Sequence, residues 1–495
     1  MGLSVHTAEF TARDFENFSQ KVRDDLMALK QILSNPGFGE GEASVGAELE
    51  LYIVDKERNA LPVNTEITEK LNDPLLTVEL NRFNLEYNLS PQPFKGSPFK
   101  AMEQELQNAI SRINAAAGVL GGEIVPIGIL PTLRQSDFNG HTMTDVPRYH
   151  ALSNALRRMR GGPFSVDIDG KEPLRLQIND VTLEGANTSF QIHWRVPARL
   201  FAKYYNAVQL VTPVVLALSA NSPSLFGHDL WDETRIALFK QSVDSRAPRE
   251  QDWRHSPRVY FGKGWLRESA WELFASTVAL FPPILPITGA ENPFACLAKG
   301  QVPGLDELRL HQGTTWPWNR AVYDNADGGH LRIEMRSLPA GPSLIDMSAN
   351  ALFFIGCALA VLPYIDDLTA ILPFSYAEHN FYRAAKHGLA ARLVWPDIKQ
   401  LELRDESVTQ IAERLLPMAQ RALEQTALDS KEIQRLFAVI QGRIEERLNG
   451  AQWQRHITRS VLQSTPREEA YSAMLGLYLN QFKTGKPVCE WRTSL

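Results

Sequence analysis

The segment SVGAELELYIV, residues 44–54, alternates apolar and polar side chains with the period of a β-strand. Every second residue from Val45 to Ile53 is apolar, whereas Glu48 and Glu50 face the other way, roughly 7 Å apart at the rise of a strand. Carboxylates seldom lie on the face that packs a core. The segment therefore predicts a strand with one apolar face and one acidic face.

Three further segments repeat this alternation: FNLEYNL at 83–89, FQIHWRV at 190–196 and HLRIEMR at 330–336. Their polar positions are Asn84, Glu86 and Asn88, then Gln191, His193 and Arg195, then His330, Arg332, Glu334 and Arg336. If the strands share a sheet, one face forms the core and the other presents ligands for a cation and an anion. We predict an α+β fold in which a mainly antiparallel sheet with flanking helices carries Glu48, Glu50, Glu86, His193, Glu334 and Arg336 on one face.

A solvent-exposed polar face is the simpler explanation of any single strand, because antiparallel sheets commonly leave one face in water. The four segments together weaken this explanation. They contain no lysine, and their polar faces concentrate glutamate, asparagine, histidine and arginine. Carboxylates clustered in this way repel one another unless a cation lies among them. Taken jointly, the segments favour a binding site.

The composition limits the classes of function. The 495 residues carry a net charge of −6 with 44% hydrophobic and 22% charged residues, and the pI is about 6.1. A globular protein with a large core is indicated, and no basic surface is expected for nucleic acid or an anionic membrane. Small-molecule substrates are favoured, and a homo-oligomer remains open. The first residues lack a signal-peptide pattern, and the widely spaced Cys296, Cys357 and Cys489 fit a reducing compartment, so we expect a cytoplasmic protein.

Helical periodicity recurs between and after the strands. It predicts helices over 12–33, 99–119, 197–220, 266–279 and 343–362. The apolar stretches 210–220 and 349–363 fall short of the roughly 20 residues that span a bilayer, so they are predicted to be core helices. From about Asp405 the sequence predicts helices over 406–428, 430–448 and 467–482. We expect a body over 1–404 and a helical C-terminal annex over 405–495 packed on it.

Two binding chemistries suit the polar face. Mg²⁺ takes oxygen ligands and usually bridges carboxylates to nucleotide phosphates, while arginine binds phosphate oxygens with a planar, permanently charged fork. The sequence contains neither a G-x-x-x-x-G-K-[ST] loop nor a G-x-G-x-x-G turn that opens a helix, so a nucleotide would be held through metals on carboxylates. ATP-dependent ligases bind their nucleotide on a sheet in this manner.

Five ordered segments resemble the glutamate-cysteine ligase type 2 group of carboxylate-amine ligases. They are GAELELYIVD at 46–55, NLEYNLSP at 84–91, SFQIHWRV at 189–196, LALSANSPSLFG at 216–227 and HLRIEMRSLP at 330–339. The resemblance implies a glutamine-synthetase-like fold, in which a curved, mainly antiparallel sheet binds ATP and two or three Mg²⁺ ions on its concave face. It also makes residues 1–404 the catalytic domain.

The same resemblance implies roles for individual residues. The implied metal ligands are Glu48, Glu50, Glu79, Glu86, His193 and Glu334. The implied phosphate contacts are His193 and Arg336. Arg258 is implied to lie near the substrate and the terminal phosphate. An ordinary surface-loop arginine is the alternative for Arg258, and Arg332 is the structural member of its strand. Because Glu79 precedes Glu86 by seven residues, the two share a face only if the chain breaks or bulges near residues 81–82.

Two other segments have mainly structural explanations. In LALSANSPSLFG a buried helix is expected to end near Ala220, with the next residues supplying a cap and a turn. In TTWPWNRAVY, Trp316, Trp318 and Arg320 would either flank the substrate pocket or pack. The cysteines lie outside every motif, so a thiol nucleophile is not expected.

The resemblance implies an ATP-dependent enzyme that joins glutamate to cysteine through an acyl phosphate and gives γ-glutamylcysteine, a reaction of glutathione-type thiol biosynthesis. Relatives that use another amine leave the second substrate open. A metal-dependent phosphohydrolase and a non-catalytic nucleotide-binding protein are alternatives that use the same carboxylates.

Overall fold

An eight-stranded antiparallel sheet forms the centre of the protein, whose computed structural model describes residues 10–247, 255–397 and 399–493. The strand order is β7-β8-β6-β1-β3-β2, and the short strands β4 and β5 pair with β1. The strands are β1 (Ser44–Val54), β2 (Leu76–Val78), β3 (Asn84–Asn88), β4 (Gln92–Pro93), β5 (Glu123–Val125), β6 (Phe190–Arg195), β7 (Asn319–Asp324) and β8 (His330–Met335).

The register of the sheet confirms the predicted polar face. Cross-strand partners lie on the same face of a sheet. Glu50 lies opposite Glu86, Glu48 lies opposite Gln191, and His193 lies opposite Glu334. The apolar positions between them are buried in the main core. The four segments therefore form adjacent strands of one sheet, as expected.

The break predicted between Glu79 and Glu86 is also present. Strand β2 ends at Val78, and β3 begins at Asn84 after a turn. Because β2 and β3 are separate strands of a hairpin, the odd spacing of the two glutamates does not place them on opposite faces.

Helices flank the sheet. In the described residues they are α1 (Ala12–Ser34), α2 (Asn64–Leu71), α3 (Pro98–Val119), α4 (Pro147–Arg160), α5 (Phe201–Ser219), α6 (Arg235–Ser242), α7 (Trp271–Leu280), α8 (Pro293–Ala298), α9 (Asp306–Gln312), α10 (Leu344–Val361), α11 (Ile365–Ile371), α12 (Phe374–His387), α13 (Val408–Glu424), α14 (Ser430–Glu446), α15 (Gly450–Val461) and α16 (Arg467–Phe482). Shorter strands outside the main sheet are Lys95–Gly96, Phe164–Ile168, Leu174–Ile178, Ser224–Leu225, His228–Asp229, Val259–Tyr260, Trp316–Pro317, Arg392–Asp397, Glu402–Ser407 and Ala427–Leu428.

The two apolar helices α5 and α10 form the centre of the main core. Every residue of α5 from Tyr205 to Ser219 is buried, and α10 packs against it. The stretch Leu344–Ile371 is long and apolar enough to cross a membrane, but 83% of its apolar window is buried inside the protein. It is a core helix, as the sequence predicted.

The C-terminal helices contribute to both hydrophobic cores. Residues of α13 and α14 join the main core, and residues of α15 and α16 build a second core with β1 and β5. In α14 the buried Arg443 pairs with Asp346 of α10 at 2.7 Å. Removing one partner of a buried ion pair typically costs about 3–5 kcal/mol. The helical tail is therefore packed tightly on the body.

The boundary between body and tail lies inside a hairpin. Strand Glu402–Ser407 pairs with Arg392–Asp397, so the chain is still extended where the sequence predicted the tail helices to begin. The first tail helix then starts at Val408, because the Ser407 hydroxyl accepts the backbone N–H of Gln410 and caps it. The division at residues 404 and 405 stays a prediction.

Candidate functional site

Glu48, His193 and Glu334 converge on the polar face of the sheet. One ligand atom from each lies within 4.8 Å of the other two, and His193 Nε2 is 3.0 Å from Glu48 Oε1. They come from β1, β6 and β8, which are neighbours in the sheet. The Glu334 side chain is fully buried, whereas 23% of the Glu48 side chain and 13% of the His193 side chain are exposed. A small ion can therefore reach this cluster from one side.

Two arginines hold Glu334 in place. Arg336 Nη1 donates to Glu334 Oε1 at 2.6 Å, and Arg320 donates through both Nε and Nη2, the latter at 3.0 Å. Burial alone would raise the pKa of Glu334, but the two guanidinium groups lower it below the usual range. Burial also acts to raise the pKa of Glu48, but the charge and hydrogen bond of His193, together with the charge of Arg336, lower it. Both carboxylates are therefore charged at neutral pH.

A second group of carboxylates lies beside the first. It comprises Glu50, Glu79, Glu86 and Glu184, and within the described residues none of the four forms a salt bridge. Glu50 accepts hydrogen bonds from the backbone N–H of Ser189 at 2.7 Å and from the Gln191 amide at 2.9 Å. Glu86 accepts one from the Asn88 amide at 3.0 Å. Hydrogen bonds therefore orient the Glu50 and Glu86 side chains.

Burial, together with repulsion from neighbouring carboxylates, raises the pKa values of these four side chains. Burial and the charge of Glu79 raise the pKa of Glu50 to about 7, and the same two causes raise the pKa of Glu184 to about 8. Burial, with repulsion from Glu48, raises the pKa of Glu86 well above its usual range. Burial also raises the pKa of Glu79, against the attraction of Arg148. A bound cation would stabilise the charged form of all four.

The donor set fits a divalent metal ion. Carboxylate oxygens are the ligands that Mg²⁺ prefers, and one imidazole is also compatible with transition metals such as Mn²⁺. Three buried polar atoms on this face have no hydrogen-bond partner among the described residues: His193 Nδ1, Gln191 Oε1 and Arg195 Nε. Because buried polar atoms are nearly always paired, these unpaired atoms are consistent with a face that binds a polar ligand.

Two residues of the site carried no signal in the sequence. Glu184 lies on a 3₁₀ turn, Thr182–Ala186, where no strand periodicity marks it. Arg235 is the first residue of α6 and pairs with the buried Glu233 at 3.0 Å. Its positive charge partly offsets the upward shift in the pKa of Glu50. Each reaches the polar face from an irregular or helical segment, so only the tertiary structure brings it there.

The structure does not bring Arg258 to the carboxylates. Its guanidinium donates to the Thr314 carbonyl at 3.1 Å and to the Pro282 carbonyl at 2.7 Å, and it lies over the Phe281 ring. Only 2% of the residue is exposed, so the surface-loop alternative is wrong. Burial lowers the pKa of Arg258 to about 10. A role near the substrate stays a prediction.

The contacts of Arg332, Trp318 and Arg320 distinguish a structural role from a role in the site for each residue. Arg332 donates to Asp324 at 2.8 Å, which agrees with a structural role. Trp318 packs against Phe239 and Phe381, whereas Arg320 binds Glu334. Arg320 therefore belongs to the site, whereas Trp318 is a packing residue.

Known proteins resemble this chain in part of its sequence and in its fold. The profile of glutamate-cysteine ligase family 2 (GCS2) matches residues 44–260. Among solved structures the chain is similar to glutamate-cysteine ligase from Francisella tularensis in complex with AMP, at 12% identity over 90% of each chain and a TM-score of 0.56. It is also similar to a bifunctional glutathione synthetase from Pasteurella multocida, at 12% identity over 92% of this chain and 54% of that one, with a TM-score of 0.47. No curated protein sequence matches the chain.

Metal binding tests the cluster directly. We expect Glu48→Gln to weaken Mn²⁺ binding by more than about tenfold, because it removes an anionic ligand without changing size, and loss of even an outer-shell partner costs about that much. Asp324→Asn is the matched control, since Asp324 lies on the same sheet face but pairs with Arg332. The free ion is measured by electron paramagnetic resonance. Equal Mn²⁺ affinity in the two variants would refute the metal site.

Proposed function

We propose that this chain, whose residues 44–260 match the profile of glutamate-cysteine ligase family 2, is an ATP-dependent ligase that joins the γ-carboxylate of glutamate to the amino group of cysteine. The product is γ-glutamylcysteine, and the expected setting is thiol biosynthesis of the glutathione type in the cytoplasm. The family description supports this choice of substrates. Another amine is the first alternative, because the resemblance does not fix the second substrate.

One observation carries the proposal: a metal-type cluster and two arginines share one face with four carboxylates that form no salt bridge within the described residues. Glu48, His193 and Glu334 would hold one Mg²⁺ ion, and a further ion would lie among Glu50, Glu79 and Glu86. A bound Mg²⁺ neutralises phosphate charge and orients the terminal phosphate. A nucleotide held in this way needs no glycine-rich loop.

The chain's own residues would do the remaining work by position and charge. The Arg336 guanidinium is held at 2.6 Å from Glu334, so it is preorganised before any ligand binds. Burial lowers the pKa of Arg336, but Glu334 and Glu48 raise it by a larger amount, and the side chain stays fully charged. Arg336 would contact the transferred phosphate and stabilise the charge that develops there. Arg320, which also donates to Glu334, would keep the Glu334 carboxylate in position.

The reaction needs no nucleophilic side chain. A γ-carboxylate oxygen of glutamate attacks the terminal phosphorus of ATP, and the bond from that phosphorus to the ADP oxygen breaks. The amine nitrogen then attacks the carbonyl carbon of the acyl phosphate, the carbon–oxygen bond to phosphate breaks, and the nitrogen loses a proton. The enzyme contributes alignment of the reactants and exclusion of water from the acyl phosphate.

Two other functions use the same carboxylates. A metal-dependent phosphohydrolase would release phosphate from ATP without an amine, and a non-catalytic relative would bind the nucleotide without turnover. Either would retain the metal cluster and Arg336. Only the dependence on substrates separates the three.

Phosphate release separates these functions in one assay. With ATP, Mg²⁺ and glutamate, we expect phosphate release only when an amine is added, with cysteine the most effective of the amino acids tested. EDTA should abolish it. Release that does not depend on an amine would identify a hydrolase, nucleotide binding without release would identify a non-catalytic relative, and a preference for another amine would correct the substrate.

Substitution at Arg336 separates charge from geometry. Arg336→Lys keeps the charge but loses the fork, so it should raise the barrier by an effect on the order of 2–4 kcal/mol. Arg332→Lys is the matched control, because Arg332 lies on the same strand and face but pairs with Asp324. Steady-state kinetics measure both. Equal, small losses would mean that Arg336 only balances the carboxylates around it.

A further inference from the structure

A cavity of about 250 Å³ lies between the helical tail and the body, outside the acidic face. We call it the tail pocket. Its walls come from α15 and α16 on one side and from residues 171–172 and 223–229 on the other. The body side includes the family-like segment LALSANSPSLFG, which the acidic face does not use. Small-molecule sites of roughly 300–1,000 Å³ hold drug-sized ligands, so the tail pocket suits something smaller.

Two buried polar atoms of residues that line the tail pocket have no hydrogen-bond partner in the part of the chain that the structure describes. They are Ser224 Oγ and Gln454 Oε1, and these residues are 4% and 1% exposed. The orientation of Gln454 is fixed, because its Nε2 donates to the carbonyl of Asn221 at 3.0 Å and to Asn221 Oδ1 at 2.8 Å. The oxygen is therefore the atom left to accept a hydrogen bond. Since buried polar atoms are nearly always paired, both atoms indicate a ligand with a donor.

The cations of the tail pocket fall into two pairs. Arg455 is tied to Asp229, Asp232 and the Leu230 carbonyl, and Arg467 forms a fork on Glu172 with distances of 2.7 and 2.8 Å. The protein's own acceptors hold these two guanidinium groups, which build the wall of the pocket.

The other two cations are held loosely. Lys171 Nζ and Arg459 Nη2 lie 3.4 and 3.5 Å from the same carboxylate oxygen, Asp229 Oδ2. Both side chains are more than half exposed. Because one carboxylate is shared by several cations, the pocket retains positive charge at this end. An additional carboxylate would give Lys171 and Arg459 a closer partner.

We propose that the tail pocket binds an α-amino acid as its zwitterion. The carboxylate would lie against Lys171 and Arg459, and the ammonium group would donate to Gln454 Oε1. The Ser224 hydroxyl would donate a hydrogen bond to the carboxylate of the ligand or accept one from its ammonium group. The side chain of the ligand would contact Leu462, Tyr471 and Pro223, the apolar part of the lining. This site is separate from the substrate site of the proposed ligase reaction.

Calorimetric titration of the full-length protein tests the proposal without any turnover. The common L-amino acids are titrated in EDTA and without ATP, and the best binder is then compared with its N-acetyl derivative and its methyl ester. We expect at least one amino acid to bind at millimolar concentration or below, and each derivative to bind at least about tenfold more weakly. No binding by any amino acid, or equal binding of the N-acetyl form or of inorganic phosphate, would overturn the proposal.

Variants assign the binding to the tail pocket. Ser224→Ala and Arg459→Ala should each weaken binding about tenfold, the size of one hydrogen bond or charge contact. Ser224→Ala should leave the melting temperature of the free protein unchanged, because it deletes a hydroxyl that has no partner. Arg392→Ala, an exposed arginine paired with Asp405 outside the pocket, is the control and should bind normally. Glu48→Gln should also bind normally.

Binding that survives both pocket variants, or that is lost in Glu48→Gln, would place the amino acid elsewhere and overturn the proposal. Because no step of the assay requires ATP or metal, such a failure leaves the proposed ligase activity to be judged by phosphate release.

Discussion

The structure has to hold several carboxylates, one buried and the others half-buried, next to one another on one face of a sheet. Glu48, Glu50, Glu79, Glu86 and Glu334 lie close enough to shift one another's pKa values. Their mutual repulsion opposes folding unless other interactions outweigh it. The opposite face of the sheet supplies those interactions, because its alternate residues are buried against the main core and the apolar helices α5 and α10. The stability of that core is what allows the acidic face to exist.

The charges on that face are not balanced evenly. Around Glu334 two arginines keep the carboxylate ionised, and His193 does the same for Glu48. Around Glu50 and Glu86 no cation forms a salt bridge in the described part of the chain, and burial with repulsion raises the pKa values of both carboxyl groups. One side of the face is therefore preorganised, whereas the other depends on a cation to become ionised. This division suits a site that binds a metal–phosphate complex and not a site that binds a lone anion.

The strand segments were predictable from the sequence because period-two alternation determines which side chains share a face. Glu48, Glu50, Glu86, His193, Glu334 and Arg336 follow from that rule alone once the strands are known to be adjacent. Even the break after Glu79 follows from counting residues. The order of the strands did not follow from periodicity, and their adjacency rested on the family resemblance.

Residues that approach the face from elsewhere were not predictable. Glu184 reaches it from a 3₁₀ turn, and Arg235 reaches it from the start of a helix. The pairing of Arg320 with Glu334 required the register of β7 on β8, which depends on a turn and not on either strand. Helix α15 and the hairpin strand Glu402–Ser407 were missed because their short patterns are surrounded by long helical ones. In each case tertiary contacts, and not local periodicity, determine the position.

The central claim is that this face transfers a phosphoryl group from ATP to a carboxylate before an amide bond forms. Labelling of both oxygens of the glutamate γ-carboxylate with a heavy oxygen isotope tests it directly. The protein is incubated with ATP, Mg²⁺, the labelled glutamate and cysteine, and the released phosphate is analysed by mass spectrometry. The account predicts that each phosphate carries one labelled oxygen from glutamate, because the carbon–oxygen bond breaks when the amine attacks the acyl phosphate. Phosphate that takes its new oxygen from solvent water would contradict it.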